Sequence, residues 1–204
     1  EEYLSDLKPW SRAVKVYKEM QDDIVIGSLF EAIKTPLLAS RFEVIAASTS
    51  SLDLEYKVFL EENLFNMPDL EWTHHVEEML EFMDMGFSIC EKVVEKRDGK
   101  MMLRSLIPIG QETLDSWGEV DELGNGLAFQ QRDSKGAIKS APMEKLLHFT
   151  FRGRKRNPQG RGILRSLYRA WFFKKNLETI EAIGTERDVG NAPVVTLKEG
   201  VKYT

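Results

Sequence analysis

The stretch from Lys145 to Val195, KLLHFTFRGRKRNPQGRGILRSLYRAWFFKKNLETIEAIGTERDVGNAPVV, constrains this chain more than any other. It joins a strand-like run, a basic Gly/Pro loop, one long aromatic-rich helix and a Glu186-Arg187-Asp188 turn ending at Pro193. The helix is expected from about Gly162 to Ile183, spanning roughly 30 Å at about 1.5 Å per residue. Leu164, Leu167, Tyr168 and Trp171 share one face, whereas Phe173, Leu177, Ile180 and Ile183 form a second stripe rotated away from it. A helix whose apolar face changes midway changes neighbours midway. Its first half is expected to pack on its own domain and its second half elsewhere, such as another subunit. The segment reads as one that leads the chain out of one domain and into another, and no catalytic residue stands out in it.

The charge distribution points the same way. The net charge is −5, yet Arg152, Arg154, Lys155, Arg156, Arg161, Arg165, Arg169, Lys174 and Lys175 follow one another with no acid between them. Removing those nine positive charges from −5 leaves −14 for the rest. A basic element on an acidic body calls for an anionic partner or a second copy of the same body. The run Arg152 to Arg156 holds four cations in five residues, followed by Asn157-Pro158 and two glycines. Such a loop repels itself unless phosphates, or carboxylates of an adjacent subunit, neutralise it. A solvated loop with no partner is the plain alternative. These nine residues and Arg187 are the candidate residues facing a neighbouring subunit or DNA. Arg161, Arg165 and Arg169 lie four apart and are expected to form one ridge.

With 204 residues, 42% of them hydrophobic, one or two domains can bury a core. No run of about 18 apolar residues occurs, so neither a membrane span nor a membrane partner is expected. No signal peptide is visible. The lone Cys90 excludes an internal disulfide, which suits a reducing compartment, and its apolar surroundings in sequence predict a buried thiol. The chain starts at Glu1 and stops at Thr204 among strand-like residues, and reads as a piece of a longer protein.

Periodicity predicts mostly helix over Ser11 to Leu38, limited by Pro36, and a strand over Arg41 to Ala47. Helices follow at Ser51 to Phe65 and Trp72 to Met85, the second stopped by Gly86. Phe87 to Lys96 and Met101 to Ile107 form a hairpin around Arg97-Asp98-Gly99-Lys100. Leu127 to Gln131 pairs with Ile138 to Pro142 or with Leu146 to Phe151. The fold class is therefore α+β: helices packed on a small antiparallel β unit, then a long helix.

Chemistry finds little purchase. His74 and His75 are adjacent, so on a helix they point about 100° apart and cannot comfortably share one ion. The nearby Glu77, Glu78 and Glu81 read as a solvated face. His148 reads as packed or hydrogen-bonded rather than as a base. Motifs for a serine hydrolase, a zinc protease and a nucleotide-binding P-loop are all missing. Gly160-Arg161-Gly162 at a helix start is a weak phosphate signal. Glu178, Glu181, Glu186 and Asp188 could mimic a two-metal nuclease site, but read better as surface charge. No catalytic, metal or cofactor-binding residue is assigned, and no cofactor is expected.

A resemblance runs along most of the chain. Asp23-Ile24 through Leu29 and then Phe42-Glu43-Val44, Gly86-Phe87-Ser88-Ile89-Cys90-Glu91, Ile107-Pro108, Trp117 and Lys145-Leu146-Leu147-His148-Phe149 occur in the order seen in Mu-like phage portal proteins. The most specific match is Pro158, Gly160-Arg161-Gly162, Leu164-Arg165, Leu167-Tyr168-Arg169, Trp171 and Phe173-Lys174, with Glu186-Arg187-Asp188 and Pro193-Val194 after it. Gly190-Asn191-Ala192 departs from the family's usual order at that turn. The resemblance implies a wing-like domain over 1–160, a stem-type helix over 161–185 and the start of a clip over 186–204. The second stem helix, channel loop and crown of such a protein are not found in this sequence. The resemblance also implies a homo-oligomeric ring, usually of twelve subunits, at a capsid vertex, assembled in the host cytoplasm and carried in the virion. Double-stranded DNA would pass through its channel. Terminase, the major capsid protein and tail or adaptor proteins would be its partners, and it would not be an enzyme. Two alternatives stay open: a nucleic-acid-binding module using the basic loop 152–161, and a metal-dependent nuclease using the C-terminal acids.

Overall fold

The computed structural model describes residues 2–69, 71–118 and 128–190, apart from the side chains of 156, 189 and 190. The chain divides into two compact units, Glu1–Ser166 and Leu167–Thr204.

The first unit begins with two helices, α1 (Trp10–Gln21) and α2 (Ile24–Leu38). The mostly helical run expected there is two helices, because the Asp23 carboxylate accepts from the backbone N–H of Val25 and Ile26 and caps the second. Pro36 does not stop α2; it lies within the last turn, two residues before the end. Helix α3 (Ser51–Phe65) is capped by the Ser50 hydroxyl, which accepts from Asp53 N. Helix α4 (Trp72–Met85) ends at Gly86 in the left-handed conformation, φ 114°.

Strands β1 (Phe87–Arg97) and β2 (Lys100–Ile109) form the expected antiparallel hairpin, with a register shift at Val93/Val94. A short strand, β3 (Leu114–Trp117), precedes β4 (Ala128–Arg132), β5 (Ile138–Pro142) and β6 (Leu146–Thr150). Two three-stranded sheets result, in the orders β2-β1-β6 and β3-β4-β5. Of the two pairings left open, β4 takes β5, while β6 closes on β1 with Ile89 opposite His148. Leu127, the expected start of that strand, lies outside the described residues.

Strand β1 is buried on both faces over its first four residues, so its side chains split between two cores. Phe87 and Ile89 join Leu114, Phe129 and Leu146, with Trp10 and Trp117 packed against them. Cys90 turns the other way, onto Met67, Leu106 and Trp72. Ser88 points toward α4, its hydroxyl donating to Met79 O at 2.8 Å. Burying each large apolar side chain contributes about 1.5–3 kcal/mol, so β1 is the spine of the unit.

Two further expectations differ from the structure. Arg41 to Ala47 forms no strand. Alternation confers propensity, but a strand needs a hydrogen-bonded neighbour, and this segment has none among the described residues. Phe42 instead sets its ring edge against Trp72, centroids 5.7 Å apart. The Glu186-Arg187-Asp188 turn is also absent, because helix α5 runs from Ile163 to Gly190. Nothing from Thr185 to Val189 breaks a helix, and a glycine such as Gly184 only weakens one. Residues 191–204, including Asn191-Ala192, Pro193-Val194 and the expected body of the clip, lie outside the described residues. No helix among the described residues is long and apolar enough to cross a membrane.

Candidate functional site

The basic loop is anchored before it presents any charge. Beyond β6, Phe151 N donates to Gly86 O at 2.8 Å, and Arg161 N donates to Phe151 O at 2.7 Å. The loop 151–162 thus folds back onto the C-terminal end of α4. The approach is backbone against backbone. A Cβ at Gly160, φ 59°, would lie 2.2 Å from Gly86 O, and one at Gly162 would lie 2.0 Å from Asp84 O. Only glycine fits at either place. His148 locks the same loop: its Nε2 and Pro158 O are 2.8 Å apart, and its ring packs against both Phe87 and Trp117. Burial pushes this imidazole down from its usual range, while the Pro158 carbonyl pulls the other way. The Pro158 carbonyl can only accept, so Nε2 donates in this contact and ties the loop to β6.

A buried ion pair lies beneath the junction. Asp84 accepts from Lys34 Nζ at 2.8 Å and from Gln21 Nε2 at 2.9 Å, joining α1, α2 and α4. Its side chain is 2% exposed and that of Lys34 17%. Burial pushes the carboxyl up, and the Lys34 and Gln21 contacts only partly offset this. No periodicity argument marked either residue.

On this footing, Arg154, Lys155, Arg161 and Arg165 line one cleft of about 540 Å³, together with Glu2, Tyr3, Trp10 and Tyr17. Arg165 grips the Glu2 carboxylate with two nitrogens: Nε meets Oε2, and Nη2 donates to Oε1 at 2.7 Å. Its guanidinium carbon lies 5.1 Å from the centroid of the Tyr3 ring. A planar fork with a π-face beneath it is an arrangement that suits arginine and not lysine. Burial opposes ionisation of Glu2, but Arg165 and the backbone N–H of Leu4 and Tyr3 together hold it below the usual carboxylate range. Burial pushes the Tyr17 phenol up to about 12, with Arg165 opposing and Glu2 adding to the rise.

The sequence-predicted cations therefore part company. Arg154, Lys155, Arg161 and Arg165 converge. Arg152 stands over the Phe151 ring at 5.0 Å and does not line the cleft. The Arg156 side chain lies outside the described ones. Of the expected ridge of Arg161, Arg165 and Arg169, Arg165 is turned onto Glu2 of its own chain. In the second unit, Arg169 lies over Phe173 at 5.7 Å, Lys175 over Trp171 at 5.1 Å, and Lys174 pairs with Glu178 at 3.7 Å. Arg187 is exposed in the last turn of α5. Glu2 and Tyr17 went unmarked in the sequence, since one lies in no recognisable pattern and the other reads as an ordinary helix position.

The remaining candidates resolve simply. His74 is exposed beside Glu77 and Glu78, at 3.7 and 3.8 Å. His75 is buried with its ring 5.6 Å from Trp72. The two imidazoles thus occupy separate surroundings. Glu178, Glu181, Glu186 and Asp188 are all exposed along α5. Among the described residues no three His, Cys, Asp or Glu side chains stand close enough to hold a metal ion.

The last helix carries the second notable surface. Leu164, Tyr168 and Trp171, on the first stripe, are buried, whereas Phe173, Leu177, Ile180 and Ile183 are between 46% and 66% exposed. No curated protein matches this chain. A family model does: residues 14–187 match the one described as the portal protein of Mu bacteriophage. That span takes in α1 from Val14 onward, α2, both sheets, the glycine junction and all but the end of α5, and on that extent the chain belongs to the Mu phage portal protein family.

Proposed function

We propose that this phage portal protein is the subunit of a closed ring, usually of twelve copies, at a capsid vertex. In this reading 1–160 is the wing, 161–185 the stem-type helix and 186 onward the start of the clip. Double-stranded DNA passes through the channel during packaging and ejection. Terminase docks on the ring first, tail or adaptor proteins dock later, and the major capsid protein surrounds it. The ring is assembled in the host cytoplasm and ends in the virion. Portal proteins are structural, and the reading assigns no catalytic step to any residue.

The observation that carries the ring is the exposed stripe of Phe173, Leu177, Ile180 and Ile183. Four large apolar side chains on one helix stripe are an uncommon expense for a solitary surface. Each contributes about 1.5–3 kcal/mol once covered. A ring supplies that cover through a heterologous contact, in which one surface of a subunit meets a different surface of the next. The test is a double substitution, Leu177→Glu with Ile180→Glu, in the assembling protein. Loss of rings in negative-stain images, with the secondary structure of the subunit kept, supports the reading. Unaltered rings would remove the stripe from the interface.

A further inference from the structure

We propose that the cleft walled by Arg154, Lys155, Arg161 and Arg165 is a binding site for a phosphate-bearing anion, with the Glu2 carboxylate as its internal competitor. This is independent of ring formation.

The charge balance comes first. Four cations face one carboxylate, which leaves three positive charges uncompensated around the cleft. Arg154, Lys155 and Arg161 are exposed and have no carboxylate partner among the described residues. Like charges gathered in a concave wall repel one another and attract a multivalent anion.

The backbone holds the charges there. Arg152 and Lys155 adopt positive φ, 51° and 54°, a conformation unfavourable for residues with a side chain. It persists because Phe151 is tied to Gly86 and Arg161 to Phe151. The loop thus arrives at the cleft already shaped.

The chemistry of the wall is declared by what already occupies part of it. Arg165 takes two oxygens of Glu2 in a fork, the geometry that also suits two oxygens of a phosphate. A single carboxylate neutralises one charge of four. A phosphate supplies more oxygens and more charge, and reaches a lysine as readily as an arginine. The volume, about 540 Å³, exceeds the needs of one carboxylate and falls within the roughly 300–1,000 Å³ common for small-ligand sites.

Phosphate can come from a free anion or from the backbone of DNA, and two probes separate these. The chain is titrated calorimetrically with inorganic phosphate, and a fluorescent DNA duplex is followed by anisotropy over a series of salt concentrations. With either probe, Glu2→Gln should tighten binding by about tenfold, since it frees the Arg165 fork. A gain of binding cannot come from misfolding. The triple change Arg154→Ala, Lys155→Ala and Arg161→Ala should weaken binding by at least about tenfold, and with DNA should lower the logarithmic salt slope by about 3. A response to phosphate alone assigns the site to a free anion. A response to DNA with that slope assigns it to the phosphodiester backbone. Binding of neither probe, indifference to both variants, or an equal response to a phosphate-free glutamate peptide would overturn the proposal.

Discussion

Adding one methyl group at Gly162 should destabilise the first unit more than a surface glycine substitution ordinarily does. The Cβ of Gly162→Ala would sit 2.0 Å from Asp84 O, 2.5 Å from Met85 C and 2.6 Å from Asp84 C, all backbone atoms. No side chain can swing aside to relieve this, so two backbone segments must part by about 1 Å or more. Overpacking of this kind costs about 1–3 kcal/mol. The same separation strains the Phe151–Gly86 and Arg161–Phe151 hydrogen bonds, each contributing about 0.5–1.5 kcal/mol. The expected loss is roughly 2–6 kcal/mol. At about 2–4 °C per kcal/mol for a chain of this size, Tm should fall on the order of 10 °C in a circular-dichroism melt. Gly184→Ala is the internal control. A Cβ there meets nothing within 4 Å, so this helical change should be neutral or stabilising by about 0.5–1 kcal/mol. A Gly162→Ala chain that melts within about 2 °C of its parent would refute the claim that the Pro158-x-Gly-Arg-Gly segment is a packing motif.

Other outcomes follow from the same geometry. Lys34→Met strands Asp84 as an unpaired buried carboxylate and should cost about 3–5 kcal/mol in denaturant unfolding, whereas Lys34→Met with Asp84→Leu should recover much of it. The Tyr17 phenol titrates near 12 in the folded chain against 10.0 ordinarily, so the folded state keeps its proton longer than the unfolded one. Its contribution to stability is fully present below pH 10 and is lost as pH rises toward 12. Phenolate absorbance should therefore show this tyrosine ionising together with alkaline unfolding, and Tyr17→Phe should remove that step. The Cys90 thiol is buried and pushed up to about 11, chiefly by burial, so a thiol reagent at neutral pH should label it only after denaturant unfolds the chain.

Much of this fold could be read from residue patterns where the pattern and its physical cause are both local. The helix from Trp72 to Met85 has an apolar period and a glycine cap, and the Asp98-Gly99 hairpin has a turn that allows one main connection; both stand where the sequence puts them. Arg41 to Ala47 failed because strand formation is a property of a pair, and alternation in one segment says nothing of its neighbour. Strand β3 was missed for the opposite reason: four residues, Leu114 to Trp117, carry too little pattern and exist by pairing with β4. The cations of the basic loop were visible as composition, but their division between cleft, ring face and ion pair was not. That division depends on Glu2, which is 163 residues from Arg165. The glycines at 160 and 162 were legible as a loop signal. Their purpose, a backbone crossing with the end of α4, becomes apparent only in three dimensions.

The central claim, that this portal family chain works as a ring subunit, is tested most directly by weighing the assembled protein. Mass photometry, with negative-stain images of the same sample, reads both subunit number and shape. The account predicts a closed ring with a central channel, at a mass near twelve subunits. A protein that stays strictly monomeric at every practical concentration, with no ring in any image, would contradict it.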